Sequence, residues 1–368
     1  MKPILWPGLA VAALLLALAC GKPETDFGGV APVIPKDTAK IDTVKALDTL
    51  RFATLNMSIG FPVSQLLFTD MANDTIAYVV LDSMYRRYIR GRPKDRIKAM
   101  ARAIDSLKLD VVGLQEVMAF KRDGILVNDF LAELTADIIA MGGPAYQVLS
   151  APLNDTVLAG AKGGKTINIA FHEGDAMLVN PAFKILDSAN YMYFSLLEIP
   201  TAAGTYTERA MQFVKFETPK KRTWQAWNTH LEVVLYNSSS QASELKKKIS
   251  EKSLKDSTGK DAAPIIVLGD FNVDPNTNAH TVMQEGGFSD TYSKVGLDTA
   301  DASCCVDGSA LWSPDTTFSY RRIDFIFARH ILGVTENAVN VRGAFIAEDG
   351  TRLLATDHRM VRATVVGQ

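Results

Sequence analysis

Short apolar runs that stop abruptly at carboxylates, amides or imidazoles constrain this chain more than any other feature. Leu50–Leu55 ends at Asn56, and Leu109–Leu114 ends at Gln115-Glu116. Trp224–Thr229 runs into His230-Leu231-Glu232, and Pro264–Leu268 into Gly269-Asp270-Phe271-Asn272. Thr356-Asp357-His358 stands just before Met360–Val366, and Asp324 lies inside the run Ile323–Phe327. Each run has the length and content of a buried strand. If the strand ends converge at one sheet edge, they make a dense acidic pocket containing imidazoles. Carboxylates that close repel one another unless a cation neutralises them, and an oxygen-rich site suits Mg²⁺ or Mn²⁺ better than Zn²⁺. Each segment alone has a plainer reading: Gly-Asp-Phe-Asn as a turn, Gln-Glu as an exposed loop, Thr-Asp-His as a helix cap. Their weight comes from all of them occurring, in order, between Thr54 and His358.

The rest of the pattern is mixed. Pro93–Leu107 carries apolar residues at Ile97, Met100, Ala101, Ile104 and Leu107, which predicts an amphipathic helix with proline in its first turn. Further helices are expected over Val127–Met141 and, as a charged surface helix, Ser240–Leu254. Ala145–Leu149, Thr166–His172, Ala176–Val179, Arg209–Phe216 and Val341–Phe345 read as strands. Many strands with a few helices argue for an α/β (α+β) system of mixed sheets with helices outside. Met57–Arg92 has two readings, a substrate-covering or membrane-touching insertion or an extra helix packed on the core.

The N-terminus reads as targeting. Lys2 precedes the apolar run Leu9–Ala19, which stops at Cys20 and is short for a membrane span of about 20 residues. Ala19-Cys20-Gly21 resembles a bacterial lipobox, in which the cysteine is lipidated; an ordinary secretory signal with a chance cysteine is the alternative. Residues 1–20 are thus expected to be a signal, 21–48 a Pro- and Gly-containing tether, and 49–368 one catalytic domain. The expected location is exported and lipid-anchored, on the periplasmic or cell-surface side of a bacterial membrane, as a monomer. The other cysteines, Cys304 and Cys305, are adjacent, and either pair with each other or stay reduced.

The formal net charge of -2 argues mildly against a protein that works by neutralising many phosphates. The basic runs Lys220-Lys221-Arg222 and Lys246-Lys247-Lys248 are more often solvated faces than nucleic-acid contacts. His172, His280 and His330 lie outside the polar clusters and read as structural or surface residues.

The ordered set from Asn56 to His358 resembles the endonuclease/exonuclease/phosphatase superfamily, across about residues 50–366. The resemblance implies a four-layer α/β/β/α sandwich of two packed mixed sheets flanked by helices, with the site at one sheet edge. It implies a metal site at Asn56, Glu116 and Asp357, holding Mg²⁺ or Mn²⁺. It assigns Asp270 and Asn272 to orienting water and phosphate, His358 with its partner Asp324 to proton transfer, His230 as a second catalytic histidine, and Arg209 to phosphate binding. Ser58, where nuclease branches often carry a second Asn, and Val117 after Glu116 depart from the nuclease pattern and lean toward lipid-type phosphodiesterases. The expectation is therefore a metal-dependent phosphodiesterase acting on a lipid or small head group. The alternatives are an extracellular nuclease or a non-catalytic binding protein that keeps the fold.

Overall fold

The computed structural model describes residues 47–61, 70–198, 206–253, 263–295, 302–305, 311, 321–340, 344–347 and 349–367. The expected signal with Cys20 and the tether up to residue 46 lie outside the described residues. Residues 47–368 make one compact unit.

In chain order the first part forms β1 (Asp48–Asn56), α1 (Asp74–Arg90), α2 (Pro93–Leu107), β2 (Val111–Arg122), β3 (Ile125–Asp129) and α3 (Phe130–Ala140). The middle forms β4 (Gln147–Lys162), β5 (Lys165–Val179), β6 (Lys184–Met192), β7 (Leu197–Glu198), β8 (Tyr206–Thr207), β9 (Ala210–Glu217), β10 (Thr223–His230) and α4 (Leu235–Lys252). The last part forms β11 (Ile265–Asp270), α5 (Asn278–Glu285), β12 (Ser289–Asp290), α6 (Thr291–Lys294), β13 (Asp324–Arg329), β14 (Gly333–Asn340), β15 (Ala344–Ile346), β16 (Arg352–Leu354) and β17 (Met360–Gly367).

Two large sheets result. One runs β14-β17-β1-β2-β5-β4, with β3 beside the far end of β2, and the other runs β12-β13-β11-β10-β9-β6. They pack through Phe52, Val111 and Val179 against Val214, Trp224, Ile266, Leu268 and Ile326. Helices α1, α2 and α3 cover the outer face of the first sheet through Leu81, Tyr88, Ile97, Met100, Phe130 and Leu134. Helices α4 and α5 cover the second through Leu245, Ile249 and Met283. The order is therefore helix, sheet, sheet, helix, the expected four-layer sandwich. Strand β11 explains why the sequence reads as it does. Ile266 and Leu268 face the other sheet while Ile265 and Val267 face the helices, so a run buried on both sides is apolar throughout.

Each sheet has a parallel pair at its centre, β1 with β2 and β10 with β11. The parallel pairing ends at Asn56 with Gln115 and at His230 with Asp270, and the polar residues stand there. Strand β2 does not stop at Gln115-Glu116 as its apolar run suggests but continues to Arg122.

Helix α2 has the expected bounds. Elsewhere the expectations need correction. Val127–Asp129 belongs to β3, and the helix starts only at Phe130, capped by Asp129. Thr166–His172 and Ala176–Val179 are parts of one strand, and the strand expected at Ala145–Leu149 extends to Lys162. This long hairpin is half exposed and polar along much of its length, so no continuous apolar signal marks it. Helix α4 begins at Leu235, five residues before the expected Ser240, and β14 went unread. Of the strand expected at Val341–Phe345, residues 341–343 lie outside the described residues. In Met57–Arg92, α1 is an extra helix. It is capped by the Asn73 side chain and buries Ala77, Leu81, Met84 and Tyr88.

Candidate active site

Strand register assembles the second sheet's share of the site. His230 on β10 pairs with Asp270 on β11, which pairs in turn with Asp324 on β13, so the three side chains stand in a row across neighbouring strands. His358 closes over them. Its Nδ1 lies 2.9 Å from Asp324 Oδ2, and its Nε2 lies 3.7 Å from Asp270 Oδ2. His230 Nε2 lies 3.6 Å from that same oxygen.

The two imidazoles are pushed in opposite directions. Burial opposes charge on His358, but Asp324 and Asp270 outweigh it and hold its pKa well above the ordinary value. Burial, Arg209 and His358 together hold His230 well below it. Arg209 Nη1 lies 2.8 Å from His230 Nδ1. A guanidinium can only donate, so Nδ1 is the acceptor and the proton of neutral His230 sits on Nε2. Burial and then Asp324 push the Asp270 carboxyl up to about 6, against His358 and two amide donors.

The first sheet supplies Asn56, Glu116 and, from the loop before β17, Asp357. Glu116 sits in a bulge where β2 breaks register with β5, at a left-handed φ of 54°. The bulge turns its side chain out of the ladder and frees nearby carbonyls. Asn228 of β10 crosses between the sheets to meet them. Its Nδ2 lies 3.1 Å from both Leu114 O and Ala176 O, and its Oδ1 accepts from Gln115 Nε2 at 2.7 Å. Asn56 Nδ2 lies 3.0 Å from Glu116 Oε1 and 3.1 Å from Asp270 Oδ2, linking the two sheets' carboxylates. Its Oδ1 accepts the Ser58 N–H at 2.9 Å. Thr356 Oγ1 donates to Asn56 O at 2.7 Å and lies 3.3 Å from Asp357 Oδ1. Burial and then Asp357 raise the Glu116 carboxyl.

This donor set fits a hard divalent cation. Glu116 and Asp357 are mutually repelling oxygen ligands, and among the described residues neither has an ion pair with a basic side chain. Asp270, Asp324 and His358 also have ligand atoms within 4.8 Å of one another. There Asp324 Oδ2 and His358 Nδ1 are committed to each other, which suits a proton relay, while Asp324 Oδ1 is buried without a hydrogen-bond partner. Cys304 and Cys305 are bonded to each other, and Cys304 Sγ lies 3.5 Å from His358 Nε2.

Two residues are more engaged than the sequence suggests. Asn272 gives its backbone N–H to Asp270 Oδ1 at 2.9 Å and its Nδ2 to Leu231 O at 2.8 Å, so it braces Asp270. Arg209 lies 3.4 Å from Glu232 and 4.0 Å from Glu173, so it locks His230 within an acidic nest. Glu173, Asp175 and Glu232 had no signal beyond acids flanking Gly174 inside a strand and an acid after His230. Burial first, with neighbouring acids adding, pushes Glu173 up to about 7, and the buried Asp175 has one oxygen without a hydrogen-bond partner. Of the other histidines, His172 is exposed beside Asp155, and His280 is buried against Asp290.

A family model described as the Endonuclease/Exonuclease/phosphatase family matches residues 88–358. Among solved structures, one of an endonuclease/exonuclease/phosphatase family protein from Bacteroides thetaiotaomicron matches with TM-score 0.56 at 17% identity, covering 88% of this chain and 96% of that one. A mannosyl-6-phosphatase from the same organism matches with TM-score 0.54 at 18% identity, covering 86% and 99%. Truncated TDP2 from Caenorhabditis elegans matches with TM-score 0.51 at 16% identity, covering 86% and 97%. At these identities the structural matches speak for the fold. No curated protein matches the chain. Matched over residues 88–358, most of its length, the chain belongs to the endonuclease/exonuclease/phosphatase family of phosphoester hydrolases.

Proposed function

We propose that this chain is an exported, metal-dependent phosphodiesterase whose substrate carries a lipid-type or small head-group phosphodiester. One observation carries the reading. The Nε2 atoms of His230 and His358 face a single Asp270 oxygen, at 3.6 and 3.7 Å, and Asn56 ties that oxygen to Glu116.

The residues divide the work. Asp270, pushed up to about 6, takes a proton from the attacking water. His358, kept protonated by Asp324, gives its Nε2 proton to the leaving oxygen. Neutral His230 offers Nε2–H to a non-bridging phosphate oxygen, where charge develops. After product departs, the proton on Asp270 returns across 3.7 Å to His358. Glu116 and Asp357 would hold a divalent cation, Mg²⁺ or Mn²⁺, which when bound would supply charge neutralisation at the phosphate.

The substrate class is supported by the site's rim. Immediately after His230 and Glu232, Val233, Leu235 and Tyr236 are 60%, 53% and 78% exposed, and Phe194 is 94% exposed. Asn237 donates to Leu196 O and Gln241 to Ser195 O, so the segment after Phe194 is stitched to the start of α4. Exposed apolar patches of this kind mark contact with apolar partners. In Met57–Arg92, α1 follows the packed-helix reading, with Ala77, Leu81, Met84 and Tyr88 buried. Lipidation at Cys20 would deliver the enzyme to a membrane.

The test is turnover with Mg²⁺ and with EDTA on sphingomyelin, phosphatidylcholine, bis-p-nitrophenyl phosphate and plasmid DNA. Mannose 6-phosphate is added as a monoester, because one fold relative is a mannosyl-6-phosphatase. EDTA-sensitive release from a lipid supports the reading. Turnover of DNA alone establishes a nuclease instead, and turnover of the monoester alone a phosphatase.

A further inference from the structure

Arg96 stands out on α2. It stands just before the apolar stripe of Ile97, Met100 and Ile104, and it is 1% exposed. Burying a guanidinium without a carboxylate partner is unfavourable unless its N–H groups are well used. Arg96 uses Nε and Nη2 on backbone carbonyls of two loops, while its buried Nη1 has no hydrogen-bond partner. Its Nη2 donates to Met57 O at 2.7 Å and Ser58 O at 2.8 Å, and its Nε donates to Ala355 O at 2.7 Å. The first loop follows Asn56, and the second precedes Asp357. The same first loop gives the Ile59 N–H to Glu116 Oε2 at 2.9 Å. The chain turns tightly around the guanidinium. Gly60 has a φ of 82°, and a Cβ there would lie 2.5 Å from Arg96 Nη1.

We propose that Arg96 is the positioning residue of the metal site, its rigid fork clamping the loops that carry Asn56 and Asp357 so that the Asn56 amide and the Asp357 and Glu116 carboxylates are preformed. The inference rests on the metal-dependent reading above and deepens it. Lysine preserves the charge, but its compact ammonium on a flexible stem cannot reproduce a planar fork holding three carbonyls on two loops. Arg96→Lys therefore separates geometry from charge. Residues that hold metal ligands in place from behind typically contribute 10–100-fold in metal affinity.

The experiment is calorimetric titration of Mn²⁺ and Mg²⁺ into the EDTA-stripped full chain, beside a thermal melt of the same metal-free protein and steady-state kinetics over a metal series. Wild type binding one or more ions, with a cooperatively melting Arg96→Lys protein about 10–100-fold weaker, supports the clamp. So does a kcat in Arg96→Lys that recovers at high Mg²⁺ with the substrate KM unchanged, which a merely structural role would not produce. Wild-type metal affinity in folded Arg96→Lys overturns the clamp and leaves the metal site standing. Absence of metal binding in wild type overturns the metal-dependent reading, and the clamp with it. Should Arg96→Lys fail to melt cooperatively, Gly60→Ala decides, since it keeps the guanidinium but crowds Nη1. Weakened metal binding there supports the clamp, and unchanged affinity overturns it.

Discussion

His230 and His358 aim at one oxygen of Asp270 from 3.6 and 3.7 Å, yet one is held neutral and the other charged. Arg209 behind His230 and Asp324 behind His358 make the difference. This predicts the pH dependence. kcat/KM should rise through about pH 6 as Asp270 ionises, and fall at alkaline pH as His358 loses its proton. Asp324→Asn removes a charge that raises both groups, so both limbs should move to lower pH. A profile on sphingomyelin checks this. An alkaline limb unmoved by Asp324→Asn would show that His358 is not the acid.

Leaving-group chemistry gives an independent check. A lipid alkoxide needs a proton as it departs, whereas nitrophenolate leaves readily without one. His358→Ala should therefore lose about 10²–10⁴-fold on sphingomyelin and clearly less on bis-p-nitrophenyl phosphate. Equal losses on the two substrates would argue for a role in binding instead of proton donation.

Asp270 should trade stability for activity. Its carboxyl is raised from the ordinary value of 3.8 to about 6, chiefly by burial. A raised acid contributes stability below its unfolded pKa, and that contribution is lost as pH rises through about 6. At pH 8 the ionised group therefore destabilises the metal-free fold, by about 3 kcal/mol on the linkage relation. Asp270→Asn forfeits at most a hydrogen bond or two of about 1 kcal/mol each, so relief of the charge wins. The variant should lose turnover yet melt at or above wild type at pH 8 in EDTA, with the advantage gone at pH 4. A variant that melts well below wild type at pH 8 would show that Asp270 is held for structure.

The strand ends were legible because burial on both faces makes β11 apolar up to Asp270, so the polar residue stands out where the strand stops. Helix α2 was legible from Pro93 and its stripe, but Arg96 was not, because a charge beside the stripe reads as solvated until the loops of Met57 and Ala355 fold over it. Glu173 and Asp175 lie in a half-polar hairpin, and only the packing of the two sheets buries them next to Arg209. Helix α1 buries Ala77, Leu81, Met84 and Tyr88 on the first sheet, while Val79 on α1 and Tyr236 on α4 both stay exposed.

The rim predicts a split between substrates. Phe194→Ser with Tyr236→Ser removes two exposed aromatics, each able to contribute about 1–3 kcal/mol on burial in an apolar phase. Hydrolysis of sphingomyelin in vesicles should fall about tenfold or more, while turnover of soluble bis-p-nitrophenyl phosphate stays unchanged. Parallel loss on both substrates would make the rim a structural feature of α4.

The proposed anchoring at Cys20 is separable from catalysis. Cys20→Ser should move the protein from the membrane fraction to the soluble fraction with its activity on soluble substrate intact. A Cys20→Ser protein that still sediments with membranes would place the anchor elsewhere.

Asn228 tests how the bulge and the site depend on each other. Its amide meets the carbonyls of Leu114 and Ala176 where β2 breaks register, as well as the side chains of Gln115 and Gln212. Asn228→Leu keeps roughly the same volume but leaves buried polar groups unpaired. Each such group costs about 1–3 kcal/mol, so a loss of roughly 3–5 kcal/mol is expected in urea unfolding, after partial relaxation. Glu116 projects from that bulge, so relaxation there also displaces a carboxylate of the proposed metal site. At a temperature where the variant is still fully folded, turnover should fall, and higher Mg²⁺ should restore part of it. Full activity in a destabilised variant would mean that Glu116 is held by Asn56 and Ile59 alone.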